Sequence, residues 1–519
     1  VKLLRSTAIV SSMTLLSRML GFLRDLVFAQ QFGASAATDA FYVAFRIPNF
    51  MRRLFAEGSF SLAFVPVLAE IKAKGDPEEL RRFIDHVCGT LAGILLVVVA
   101  LGILAAPGFV AVFAPGFLDE PAKFELTTDL LRITFPYILL ISLAGFAGGI
   151  LNSHSRFALP ALSPVLLNIA LIAAALWASP HFAEPVTALA WGVFAGGVLQ
   201  LGMQWPGLAR LGLLPRPRWG WRDSGVRKVL TLMIPTLFGS SVAQVNLLVD
   251  TLIASFLVTG SVTWLYYTDR LLEFPLGMFG VALGTVILPH LSARHADKDP
   301  AAFNRSIDWG LRIGLFISLP AAVFLAVLAE PMFWTLFGYR QFSAEDARMA
   351  ALSLTALSLG LPAFIAVKVL APAFYARQDT KTPVKAAIAS MVSNIVMNFV
   401  LVAVWMWQDW PGAHAALALS SALAGYLNAG LLYRALRREG IYTPLPGWGR
   451  KLAILGSASA VMTGVLIWQA VGFAAWATGG AIERIIGLSI AIAAGGIAYL
   501  VLCLALGLRP RHLLDRNAG

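Results

Sequence analysis

Residues 18–57 read RMLGFLRDLVFAQQFGASAATDAFYVAFRIPNFMRRLFAE, and they place Arg18, Arg24, Asp25, Asp39, Arg46, Arg52, Arg53 and Glu57 inside two long apolar segments. One charge at the centre of a bilayer costs roughly 3 kcal/mol, so such residues face an aqueous cavity and mark a pathway. A lipid-facing helix cannot carry this set. The stretch therefore predicts a water-filled, net-positive cavity inside a bundle of helices.

The rest of the chain supports a membrane setting. Its 519 residues are 58% hydrophobic and 13% charged, with a mean hydropathy of +0.76. A soluble domain is nearer half apolar and a quarter charged. Lipid requires every backbone polar group to be satisfied internally, which leaves helices or a closed barrel. Apolar runs of about 20 residues or more select helices. We read fourteen spans, an all-α polytopic protein with two six-helix pseudo-symmetric lobes around a central cavity and two further C-terminal helices. The expected divisions are 1–210 for helices 1–6, 222–438 for helices 7–12, and 448–519 for the last two helices and the tail.

The net charge of +12 does not read as nucleic-acid binding once the basic residues are placed. With fourteen spans, 27 lysines and arginines fall on one side and four on the other, namely Lys123, Arg340, Arg348 and Arg484. The positive-inside rule then puts both termini in the cytoplasm. The first apolar run carries Arg18 and Arg24 without a small-residue cleavage site, so it reads as a retained helix. Cys88 and Cys503 are expected to be free thiols.

At an offset of 224, Phe32, Tyr42, Arg46 and Phe55 match Phe256, Tyr266, Arg270 and Phe279. An offset of six spans keeps membrane orientation, so the halves read as parallel repeats. Asp39, Arg46, Arg53 and Glu57 are spaced 7, 7 and 4, on one helix face apart from any kink at Pro48. Arg53 and Glu57 can pair, while Arg52 points away. Arg18 and Asp25 share a face, with Arg24 offset from it. The eighth span adds Asp269, Arg270 and Glu273.

Snorkelling and mutual pairing account for Arg132, Arg312 and Arg46. Arg18, Arg24, Arg52 and Arg270 are the expected ligand contacts, because arginine forks grip phosphate bidentately. Asp25, Asp39, Arg53, Glu57, Asp269 and Glu273 are the expected counterions or gates. Asp250, Asn394 and Asn398 offer oxygens of the kind a sodium ion takes, although such polar residues also serve as glue between helices. Gly192/Gly196 and Gly310/Gly314 read as packing positions. No P-loop, metal-spaced His/Cys cluster or catalytic triad is evident, so the chain reads as a transporter, not an enzyme.

Two motifs, GFLRDLVFAQQFGASAATDAFYVAFRIPNFMRRLFAEGSFSLAFVPVLAE and YYTDRLLEFPLGMFGVALGTVILPHLS, resemble the lipid II flippase family of bacterial cytoplasmic membranes, the mouse-virulence-factor-type branch of the multidrug/oligosaccharidyl-lipid/polysaccharide exporters. The resemblance covers essentially the whole chain. It implies movement of the undecaprenyl-pyrophosphate-linked disaccharide pentapeptide from the cytoplasmic to the periplasmic leaflet by alternating access, with a lipid-tail groove near the last two spans. It implies functional charges at Arg18, Arg24, Asp39, Arg52, Glu57, Arg270 and Glu273. A sodium site is implied at Asp250, Asn394 and Asn398, although Asn398 stands where the family carries an aspartate. No other cofactor is implied, and sodium or the membrane potential is the expected driving force. A monomer suffices, associating with cell-wall synthesis enzymes. The alternatives are a flippase for another lipid-linked glycan and a cation-coupled small-molecule exporter.

Overall fold

The computed structural model describes residues 2–52, 60–473 and 477–508, and every regular element among them is helical. Nine of these helical runs are long and apolar enough to cross a membrane, or ten if one bent pair counts as a single span. The protein is thus an all-α, multi-pass membrane protein.

The chain forms two compact units that divide between Thr263 and Trp264. The first holds α1 (Lys2–Phe32), α2 (Ala36–Arg52), α3 (Ser61–Ala73), α4 (Pro77–Leu104) and α5 (Ala106–Phe113). It continues with α6 (Pro121–Thr134), α7 (Tyr137–Ser153), α8 (Ala158–Ala173), α9 (Thr187–Arg210) and α10 (Ser224–Ala254). Helix starts are chemically marked. Asp76 accepts from the Glu78 amide at 2.9 Å with Pro77 next in line, and Asp223 caps α10 through the Gly225 and Val226 amides.

Helix α10 belongs to this unit because it packs on α3, α4 and α5. Lipid is as apolar as leucine, so helices associate through close packing and not through the hydrophobic effect. Gly192 and Gly196 of α9 supply that contact with α8. A Cβ there would lie 2.8 Å from Ala174 Cβ and 2.6 Å from Leu167 Cδ1. Helix α2 is buried all round from Thr38 to Pro48, and it runs on through Pro48 to Arg52.

Helix α11 (Ser261–Pro275) begins just before the division. The second unit adds α12 (Val281–Ala296), α13 (Pro300–Val327), α14 (Ala329–Phe337), α15 (Ala344–Ser358) and α16 (Leu361–Tyr375). It ends with α17 (Lys381–Trp407), α18 (His414–Arg438), α19 (Trp448–Val471) and α20 (Ala481–Ala505). Helices α15 and α16 meet at a 40° bend. Pro362 opens α16 there, and Gly360 admits the α18 backbone, since a Cβ would sit 2.8 Å from Ala422 Cα. The two C-terminal helices pack on each other and on α13, around Leu455, Ala458, Met462, Leu466, Ala491 and Tyr499.

Candidate functional site

On α1, Arg24 and Asp25 are both buried. Arg24 donates to Asp25 Oδ1 through Nε at 3.0 Å and Nη2 at 2.7 Å, and through Nη1 to Asn168 Oδ1 at 3.1 Å. Asn168, from α8, in turn donates to the Ser17 carbonyl at 3.1 Å. Arg18 is exposed. Spacing placed Arg18 and Asp25 on one face, but their surroundings differ because the Arg24 fork reaches back to its own neighbour. Arg52 closes the described part of α2, half-buried, with its Nε donating to Asn49 Oδ1 at 2.9 Å. Arg53, Glu57 and Phe55 lie outside the described residues.

Asp39, in the first turn of α2, has different company from the arginines expected of it. Its Oδ2 accepts from the Gly260 amide at 2.7 Å and lies 3.4 Å from Lys123 Nζ. Its Oδ1 accepts from the Thr263 amide and hydroxyl at 3.0 and 2.7 Å. Lys123, counted from sequence as an ordinary loop charge, is buried and stands 4.3 Å from the Phe117 ring. A buried carboxylate is tolerated when it is paired and fully hydrogen-bonded, and Asp39 meets both conditions. Arg46 does not snorkel to an interface. It is buried and donates to Thr251 Oγ1 at 2.5 Å.

On α11, Arg270 donates to Glu273 Oε2 at 3.0 Å and to the Tyr266 hydroxyl at 3.1 Å, with its guanidinium 5.0 Å from the Tyr266 ring centre. Asp269 beside it is half-buried. Arg312 pairs with Asp308 at 2.5 Å, and Arg132 with Asp129 at 3.0 Å.

The sodium candidates differ in character. Asn246 Oδ1 is a buried oxygen without a hydrogen-bond partner among the described residues, one turn before the half-buried Asp250. On α17 the amides close on themselves and on α18. Asn398 Oδ1 accepts from Ser420, Asn394 Oδ1 accepts from Asn398 Nδ2 at 3.4 Å, and Asn394 Nδ2 donates to Ser420 at 3.3 Å. That set does not offer an open oxygen cage. No group of three His, Cys, Asp or Glu side chains suited to a metal occurs among the described residues.

Sequence reading missed Asn168, Lys123 and Thr263. Asn168 was visible as a lone amide in an apolar helix, and Thr263 lies at Asp39 plus the repeat offset of 224. Lys123 carried no signal.

The described helices bury charged side chains inside a multi-pass membrane fold, and known structures share that fold. An inward-facing multidrug resistance MATE family transporter of the MOP superfamily superposes with a TM-score of 0.67 at 12% identity, covering 84% of this chain and 98% of that one, a likeness of fold. The family model described as "Lipid II flippase MurJ" matches residues 28–487, and the chain belongs to that family. A probable lipid II flippase MurJ of Vibrio cholerae is 47% identical over 99% of this chain and 98% of its own length. One from Haemophilus influenzae is 46% identical over 97% of this chain and 100% of its own. A structure titled as lipid II flippase MurJ in an inward closed conformation gives a TM-score of 0.78 at 26% identity, covering 96% and 98% of the two chains.

Proposed function

We infer that this protein is a lipid II flippase of the bacterial inner membrane. It moves the undecaprenyl-pyrophosphate-linked peptidoglycan precursor between leaflets by alternating access. The observation that carries this reading is family membership across residues 28–487. In the full arrangement fourteen spans form two lobes of six and a final pair, with both termini cytoplasmic. Beyond the nine apolar runs and the bent pair, the four added spans are α1, the run from α2 to α3, α9 and α10. At 31, 24 and 31 residues, α1, α9 and α10 each exceed the roughly 20 residues that a bilayer requires.

Arg18, Arg24, Arg52 and Arg270 receive the pyrophosphate. Arg24 already grips Asp25 through two nitrogens, and Arg270 holds Glu273 through one while its other terminal nitrogen reaches the Tyr266 hydroxyl, so both guanidinium groups are set on anionic oxygens of the kind a diphosphate offers. Binding is then an exchange in which phosphate displaces carboxylate, and release reverses it. Asp25, Asp269 and Glu273 act as resident counterions, Asp39 holds its own hydrogen-bonded position, and Arg53 and Glu57 gate entry. A ligand shifts a conformational equilibrium only by binding the two states differently, so some arginines must lose the pyrophosphate on opening outward. No transport step is routed through a cation.

The test is complementation. Cells depleted of their own flippase and supplied with this chain should regain lipid II accessibility at the outer leaflet. No rescue by a well-expressed, inserted protein would remove the assignment.

A further inference from the structure

Between α9 and α10 the chain runs through residues 211–223, LGLLPRPRWGWRD. This connection is a strap pinned along α4. The Arg216 amide donates to Asp85 Oδ1 at 2.7 Å, the Arg218 amide to the Asp85 carbonyl at 3.1 Å, and the Gly220 amide to Thr90 Oγ1 at 3.0 Å. Strap and helix touch backbone to backbone, since a Cβ on Gly89 would fall 2.2 Å from the Arg218 carbonyl oxygen. Asp223 closes the strap, with Oδ2 3.0 Å from His86 Nδ1 and Oδ1 on the amides that start α10.

Both acids, Asp85 and Asp223, are thus committed to backbone N–H groups and to His86. Arg216, Arg218 and Arg222 are exposed, and their guanidinium groups have no partner among the described residues. Trp219 and Trp221 stack with ring centres 6.2 Å apart and 9° between planes, yet remain 64% and 47% exposed. Trp219 lies over Gly93, where a Cβ would be 2.7 Å from the ring, and the exposed Leu96 and Val97 follow on α4. The tryptophans therefore stand where the apolar outer surface of α4 begins. An open groove of about 730 Å³ runs between His86, Trp219, Trp221, Arg222 and Asp223.

We propose that the strap is a docking surface for the acidic phospholipid headgroups of the bilayer around it, with Arg216, Arg218 and Arg222 on the phosphates and Trp219 and Trp221 at headgroup depth. Tryptophan favours that layer, and clustered arginine beside a span is drawn to an anionic leaflet. A backbone fixed by three hydrogen bonds presents the arginines with little left to order on binding. A soluble acidic protein or free phosphate would account for the arginines but not for stacked tryptophans at the edge of the apolar band.

The test uses the full chain in nanodiscs of phosphatidylcholine doped with phosphatidylglycerol, with bound phosphatidylglycerol counted by native mass spectrometry. Each arginine near an anionic surface is worth about fivefold in affinity. Arg216→Gln/Arg218→Gln/Arg222→Gln should therefore retain phosphatidylglycerol on the order of a hundredfold more weakly. The corresponding triple lysine variant, which keeps the charge on the same backbone, should stay within about fivefold of the parent. Trp219→Phe/Trp221→Phe should lose a measurable share of the quenching by headgroup-level brominated lipid that the parent shows, with the other twelve tryptophans keeping the remainder. Unchanged retention in the glutamine variant overturns the proposal. So does an equal loss in the lysine variant, an equal loss in Arg437→Gln/Arg438→Gln on α18, or displacement of the lipid by millimolar inorganic phosphate.

Discussion

Asp39 takes both the amide and the hydroxyl of Thr263 on a single carboxylate oxygen, at 3.0 and 2.7 Å. Its other oxygen faces Lys123 at 3.4 Å, and both side chains are almost wholly enclosed. Removing one member of a buried pair leaves an uncompensated charge and costs about 3–5 kcal/mol. Asp39→Asn should accordingly lower the detergent unfolding temperature sharply. Adding Lys123→Met should restore part of the loss, because the buried ammonium, left with only the exposed Glu120 carboxylate at 3.6 Å, is gone. A double variant no more stable than Asp39→Asn would count against the pairing.

The arginine forks make a separate prediction about transport. Arg24→Lys keeps the charge but cannot hold Asp25 through two nitrogens while reaching Asn168. Lipid II flipping by Arg24→Lys, Arg52→Lys and Arg270→Lys in proteoliposomes should each fall by about tenfold or more, a loss of roughly 1.4 kcal/mol in transition-state stabilisation. If Arg52→Lys and Arg270→Lys both flip normally, bidentate capture of the pyrophosphate is wrong.

A third prediction concerns the segment before α19. Asp308 Oδ1 accepts from the Tyr442 hydroxyl at 2.8 Å, the Leu445 amide at 3.1 Å and Trp448 Nε1 at 2.6 Å, while Arg312 neutralises its partner oxygen. Tyr442→Phe removes one hydrogen bond to a charged acceptor and should cost about 1.5–3 kcal/mol. Asp308→Ala also strands Arg312 and should cost more. Limited proteolysis between α18 and α19 should report both, with faster cleavage in the alanine variant.

Acid sensitivity should appear at Asp223. Burial raises its carboxyl pKa, but the hydrogen bond from His86 and the Val226 and Gly225 amides outweigh that and hold it below the ordinary 3.8. A carboxylate with a depressed folded pKa contributes stability above the unfolded value, and that contribution is lost as pH falls through the folded one. Asp223→Asn should therefore lower the unfolding temperature at pH 6 and converge with the parent as pH drops below 3.8. Parallel curves down to pH 3 would exclude this group.

Much of this was legible in the sequence, for physical reasons. Apolar length and charge placement announce a helical membrane protein, and glycines at Gly192 and Gly196 announce a close helix contact. The partners of the charges were not legible. Residues adjacent on a helix do not face each other, so spacing set Asp25 on the face of Arg18 and Arg24 off it, yet the long arginine stem brings its fork back to the neighbouring carboxylate. Lys123 and Asp39 are far apart in sequence, and only packing joins them. Spacing arguments reach a turn or two along one helix. They cannot see a side chain arriving from another.

Helix α2 carries a last consequence. Walled in on every side from Thr38 to Pro48, with the Ala44 carbonyl accepting from Thr134 of α6 at 3.2 Å, it has no slack surface along which to slide. Packed interiors shift between discrete arrangements and do not deform continuously. In a transport cycle α2 is therefore a pivot and not a piston, and it tilts only with the neighbours that grip it. A substitution at Ala40 or Ala44 would jam that bearing, silencing transport without touching any charge that the substrate meets.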